Sequence, residues 1–174
     1  PSHGLADATI GAINTYNDEV YAAWNGSVSE DAQIYKYANA SDSWGSALDT
    51  TADQVTDSVV FTNAAGTTYL VFAHYDSNGS GYTYYDGSSW ASNDSKDTKY
   101  LTVWGISHAG QLWYATTIGT EVDDAVLPTP DGSVTRLFIA RNAMGIPIIY
   151  AATTEGLFAH NADNAKWEKT QMTF

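Results

Sequence analysis

Cysteine is absent from all 174 residues, which excludes disulfides, thiolate metal sites and cysteine nucleophiles. Bases are scarce: 7 Lys and Arg stand against 20 Asp and Glu, a formal net charge of −13. The few bases form no cluster, so a phosphate backbone or an anionic bilayer would be repelled. Neither nucleic acid nor membrane insertion is expected. No apolar run approaches the roughly 20 residues of a membrane-spanning helix. No long segment carries apolar residues at i, i+3, i+4 and i+7, so amphipathic helices are missing too. Charged residues of both signs make up only 16% of the chain. Ser, Thr, Asn and Gly take their place and predict a polar, weakly ionic surface, of the kind found on extracellular and virion proteins.

Strand formers fill the chain instead. Apolar residues reach 44% and aromatics 13%, with 12 Tyr and 6 Trp. They come in short runs rich in Val, Ile, Tyr, Phe and Trp, separated by clusters of Gly, Asn, Asp and Ser, which predicts an all-β protein. One phrase recurs. LWYATTIGTE (112–121) and IIYAATTEGL (148–157) are near copies, and an apolar residue, an aromatic and an Ala also stand together at Val20-Tyr21-Ala22 and Val71-Phe72-Ala73. Counted on Ala22, Ala73, Ala115 and Ala151, the intervals are 51, 42 and 36 residues. An apolar run precedes each copy: ATIGAI (8–13), DSVVF (57–61), YLTVWG (100–105) and RLFIA (136–140). The turn formers YNDE, NAAG, SHAG and NAMG lie between run and phrase, and the last three end in Gly as hairpin turns do. A third strand follows as QIYKYA, GYTYYDG or GLFAHN, and Trp44, Trp90 or Trp167 opens a fourth; the third unit reads EVDDAVLPTPDGSV and has no closing Trp.

A four-stranded unit repeating every 40–45 residues is the period of a β-propeller blade. The expectation is therefore an all-β, β-propeller-like fold with four blade-type repeats of four antiparallel strands, in one domain spanning 1–174. The repeats fall at about 5–50, 51–97, 98–134 and 135–174, either as a four-bladed ring or as part of a larger one completed by self-association. The Ala of each phrase is expected on the crowded side and the neighbouring aromatic on the other. The unit IIYAATTEGLFAHNADNAKWEKT resembles blades of the two-component-regulator, BNR and kelch-like propellers, and YLVFAHYDSNGSGYTYYDGSSW is similar to repeats of propeller lectins. That resemblance implies architecture rather than activity. The sialidase Asp-box spacing fails at YDGSSW, and two arginines, Arg136 and Arg141, fall short of the sialidase triad.

Chemistry-bearing motifs are few. The histidines His3, His74, His108 and His160 share no repeat position and no zinc spacing. No Gly-x-Ser-x-Gly elbow supports a nucleophilic triad. The sequons at Asn25, Asn39, Asn78 and Asn93 matter only in a eukaryotic secretory route. Aromatics beside polar loops are the leading signal, because aromatic faces stack on sugar rings. They nominate Trp24, His74, Tyr75, Trp104 and Trp113 as ligand-binding residues. The oxygen-rich loops YDSNGSGY and GTEVDDA nominate Asp76, Asp123 and Asp124 for calcium, the one candidate cofactor. The expected function is a non-enzymatic binding or assembly module, outside a cell, at its surface or on a virion, with a carbohydrate or a protein surface as partner. The alternatives are a glycosidase or lyase with acids converging at the axis, and a purely structural subunit.

Overall fold

The computed structural model describes residues 9–26, 31–50, 54–75, 80–96, 100–103, 113–116, 119–122, 125–127 and 130–170. Every regular element among them is a β-strand. The first sheet contains β1 (Thr9–Tyr16), β2 (Glu19–Asn25), β3 (Gln33–Ala38), β4 (Ser43–Trp44) and β5 (Asp49–Thr50). The second contains β6 (Gln54–Thr62), β7 (Thr68–Tyr75), β8 (Ser80–Tyr85) and β9 (Trp90–Lys96). The third holds β10 (Tyr100–Val103), β11 (Trp113–Thr116), β12 (Gly119–Val122) and β13 (Ala125–Leu127), and the fourth β14 (Val134–Arg141), β15 (Pro147–Thr153), β16 (Gly156–Asn161) and β17 (Lys166–Lys169). All pairings are antiparallel between strands that follow one another, except that β5 shares the edge of β3 with β4.

The hairpin turns explain the repeated polar tetrapeptides. Asn63 and Asn142 do the same work in the second and fourth sheets. The Asn63 side chain accepts from the N–H groups of Ala65 and Thr67, and that of Asn142 from Met144 and Ile146. Gly66 and Gly145 then take φ of 84° and 77°, which a side chain would resist. The first hairpin is tighter: Asn17 and Asp18 both take positive φ, in a two-residue loop that suits the strand twist. The Trp of the fourth strand has one job in the first, second and fourth sheets. Tyr37–Trp44, Tyr85–Trp90 and His160–Trp167 are cross-strand partners in the same register, with ring centroids 5.4, 4.8 and 5.2 Å apart.

Sheets pack face to face in chain order. One core joins the first two: Ala12, Tyr21, Ala23 and Ile34 of the first sheet meet Val55, Leu70 and Phe72 of the second. The opposite face of the second sheet carries Phe61, Val71 and Ala73, and β10 packs across β6, β7 and β8. A separate core of Val134, Leu137, Ile149, Ala151 and Phe158 belongs to the fourth sheet, whose β14 packs on β10 and β11.

The propeller-like set of four equal blades is not what forms. Three sheets have four strands; the first has five, because Gly45 and Leu48 bond back to β3 between two short edge strands and split the outer edge. No sheet closes on itself, and β14 does not pack against β1 as β6 does. The repeat in the sequence reports a recurring local unit. It carries no information on the angle between successive units, and that angle decides whether a row closes.

Candidate functional site

One irregularity is common to all four sheets. The first strand carries a β-bulge close to its start, between Ile10 and Ala12, Val55 and Asp57, Tyr100 and Thr102, and Val134 and Arg136. A bulge sets two residues against one and re-aims the side chains that follow. The residues just after it are Ala12, Asp57, Thr102 and Arg136, opposite Ala23, Ala73, Ala115 and Ala152. The repeated phrase is therefore in register on Ala23 and Ala152, one residue later than Ala22 and Ala151. In a strand that single step exchanges the two faces.

The bulges of the first two sheets lie at the same end. Asn14 Nδ2 donates to Ser58 Oγ at 3.3 Å, and the Tyr16 hydroxyl donates to the Thr68 carbonyl at 2.9 Å, so β1 and β6 run side by side in the same direction. A Cβ on Gly11 would stand 2.2 Å from the Val55 carbonyl oxygen, so only glycine permits this approach. Asn25 completes the join. Its Oδ1 accepts from the Val55 N–H at 2.7 Å and its Nδ2 donates to the Val55 carbonyl at 2.9 Å, as a neighbouring strand would.

Polar groups collect at this bulge end. Asp57 is half-buried, and burial pushes its carboxyl up to about 6. The Ser58 N–H, donating to Oδ1 at 2.8 Å, and the Arg136 charge oppose that rise. Asp57 and Arg136 thus carry opposite charges at equivalent places in the second and fourth sheets. Asp57 Oδ2, Thr56 Oγ1 and Trp24 Nε1 are buried and have no hydrogen-bond partner among the described residues; Asp57 shares the face of Ala73, and Trp24 the face of the first sheet turned away from the second. Trp24 precedes the Asn25 clamp in β2 and faces the other side of that strand, and β2 packs on β6.

The residues nominated from sequence divide. Trp24 is half-buried and sets its ring edge-on to Tyr35 at 6.3 Å. His74 sits one pair from the bulge, opposite Val55, but is only 2% exposed. Tyr75 ends β7 opposite Gln54. Trp113 starts β11 opposite Val122, at the hairpin end of its sheet, whereas Trp24, His74 and Tyr75 stand at the bulge ends of theirs. Trp104, Asp76, Asp123 and Asp124 lie outside the described residues. Among the described residues no group of three or more His, Asp or Glu gathers as a metal site. Many other aromatics serve packing: Tyr16, Tyr21 and Tyr85 meet ring to ring within 6.4 Å, and Tyr85 stacks on Trp90.

Asp57, Thr56 and Arg136 escaped the sequence reading. A signal existed: the aligned runs DSVVF and RLFIA each open with a charge, of opposite sign, at the head of an apolar strand. No protein-family model matches the chain, and no curated protein matches it.

Proposed function

We propose that the chain is a non-enzymatic recognition module that takes a hydroxyl-rich ligand, of the carbohydrate class, at the bulge end of its first two sheets. The observation that carries this reading is the trio of buried polar atoms without partners among the described residues: a carboxylate oxygen, a hydroxyl and an indole N–H. A buried polar group left unbonded costs about 1–3 kcal/mol. A ligand hydroxyl that donates to Asp57 recovers part of that cost. Among the described residues the charge that acts on Asp57 is the Arg136 guanidinium rather than the second carboxyl group about 5–9.5 Å away that a glycosidase uses, which favours binding over hydrolysis.

A glycan array read with calcium and with chelator tests the proposal, followed by titration of tryptophan fluorescence with any hit. Selective binding is expected, weakened about tenfold or more in Asp57→Asn and Trp24→Phe, in line with the loss of one buried hydrogen bond. A silent array in both conditions, or a hit that both variants bind as well as the parent, would overturn it. Loss of binding with chelator would assign calcium to the interaction.

A further inference from the structure

We infer that the two outermost sheet faces form a head-to-tail interface between copies of this chain. The inference is independent of the ligand reading and rests on internal equivalence. Inside the molecule, the back of the first sheet receives the front of the second, and its contact residues are Tyr21, Ala23 and Ile34. Counted from the bulges, the fourth sheet carries Tyr150, Ala152 and Leu157 at the same three places. That face lies opposite the Leu137–Phe158 core, is only partly buried, and has its Phe138 and Tyr150 rings stacked at 5.4 Å. No described sheet follows the fourth.

The complementary surface is at the other end. The second sheet presents Phe72, Tyr85 and Trp90 to the first sheet. By the same count the first sheet carries Tyr37 and Trp44 on its own front, around a fully buried Ala22. No described sheet precedes it, and Ile10 and Ile13 on this face are 55% and 57% exposed. So one end of the molecule repeats the receiving side of an interface the chain already makes, and the other end repeats the inserting side. A second copy is the occupant that carries the matching face. The contact is heterologous, since different patches meet. Each copy bears a charge of −13, so added salt strengthens the association by screening.

Sedimentation velocity on the full chain tests this. Ile13→Asp spoils the front and Ala159→Glu spoils the back, each at a site where no large core side chain is removed. The parent chain should grow in mass with concentration up to about 100 μM, a range that reports weak contacts, and more so at high salt. Each variant alone should stay one chain, while an equimolar mixture of the two should form a dimer and stop there, because one intact front meets one intact back. Tyr37→Glu and Ile148→Glu repeat the test on the same faces, with circular dichroism to select folded variants. A parent chain that stays single throughout, variants that associate like the parent, or a mixture that remains monomeric would each overturn the inference.

Discussion

Two aspartates show how placement sets the behaviour of one residue type. Asp86 is exposed and accepts from the N–H groups of Ser88 and Ser89 at 2.7 and 2.8 Å, and these bonds hold its carboxyl down to about 2. Its contribution is present above the ordinary aspartate value near 4 and fades as pH falls through about 2. Asp57 is the reverse case, with its carboxyl raised to about 6 by burial. The folded state holds the proton more tightly than the unfolded chain, so stability falls as pH rises from about 4 to about 6. Asp57→Asn should therefore raise the melting temperature at pH 7–8, and the gain should vanish by about pH 4, where the acid is neutral in both states. Thermal melts of both proteins across this range check the prediction. A constant difference at every pH would mean that the carboxylate charge is not the cause.

At the scale of elements, the join between the first two sheets depends on a backbone approach and an amide clamp. Gly11 leaves no room for a Cβ beside the Val55 carbonyl, and Asn25 bonds both backbone groups of Val55. Asn25→Ala should cost about 2 kcal/mol, because two backbone groups lose their partner at a part-buried site. Gly11→Ala should cost at least as much, since the clash is with backbone that cannot swing aside. Asn142→Ala frees two turn N–H groups that water can reach, and about 1 kcal/mol is expected. Urea denaturation of the three variants gives the ranking, and an Asn142→Ala cost above that of Asn25→Ala would contradict it.

Across the whole molecule, the cores predict separate units of stability. Leu70 and Phe72 belong to a cluster that includes both the first and the second sheet, whereas Leu137 and Phe158 belong to a cluster within the fourth. Leu70→Ala should cost about 2–5 kcal/mol and lower amide protection across the first two sheets together. Leu137→Ala should lower it in the fourth sheet alone, because local openings follow shared cores. Hydrogen exchange by mass spectrometry separates these outcomes, and uniform loss in both variants would show one cooperative unit.

The strands were legible in the sequence because their determinants are local. β-branched and aromatic runs, Asn and Gly in the turns, and one Trp in three of the four units recur without reference to distant residues, and they define an all-β chain of repeated hairpins. The pairing of Asn63 with Asn142 could be read in NAAG and NAMG for the same reason. What local pattern could not supply is register and angle. The bulge shifts the phrase onto Ala23 and Ala152, and a one-residue shift exchanges faces without changing any propensity. The charge at the head of DSVVF looked like strand-end polarity until the fold set Asp57 inside and within reach of Arg136, 79 residues along the chain. Of the nominated positions, Trp24, His74 and Tyr75 fall at the bulge end of their sheets and Trp113 at the hairpin end, because sequence marks what can bind, and only packing decides which residues meet. The absence of a closed ring has the same origin: each sheet is specified by its own residues, while the rotation between sheets comes from how their faces fit.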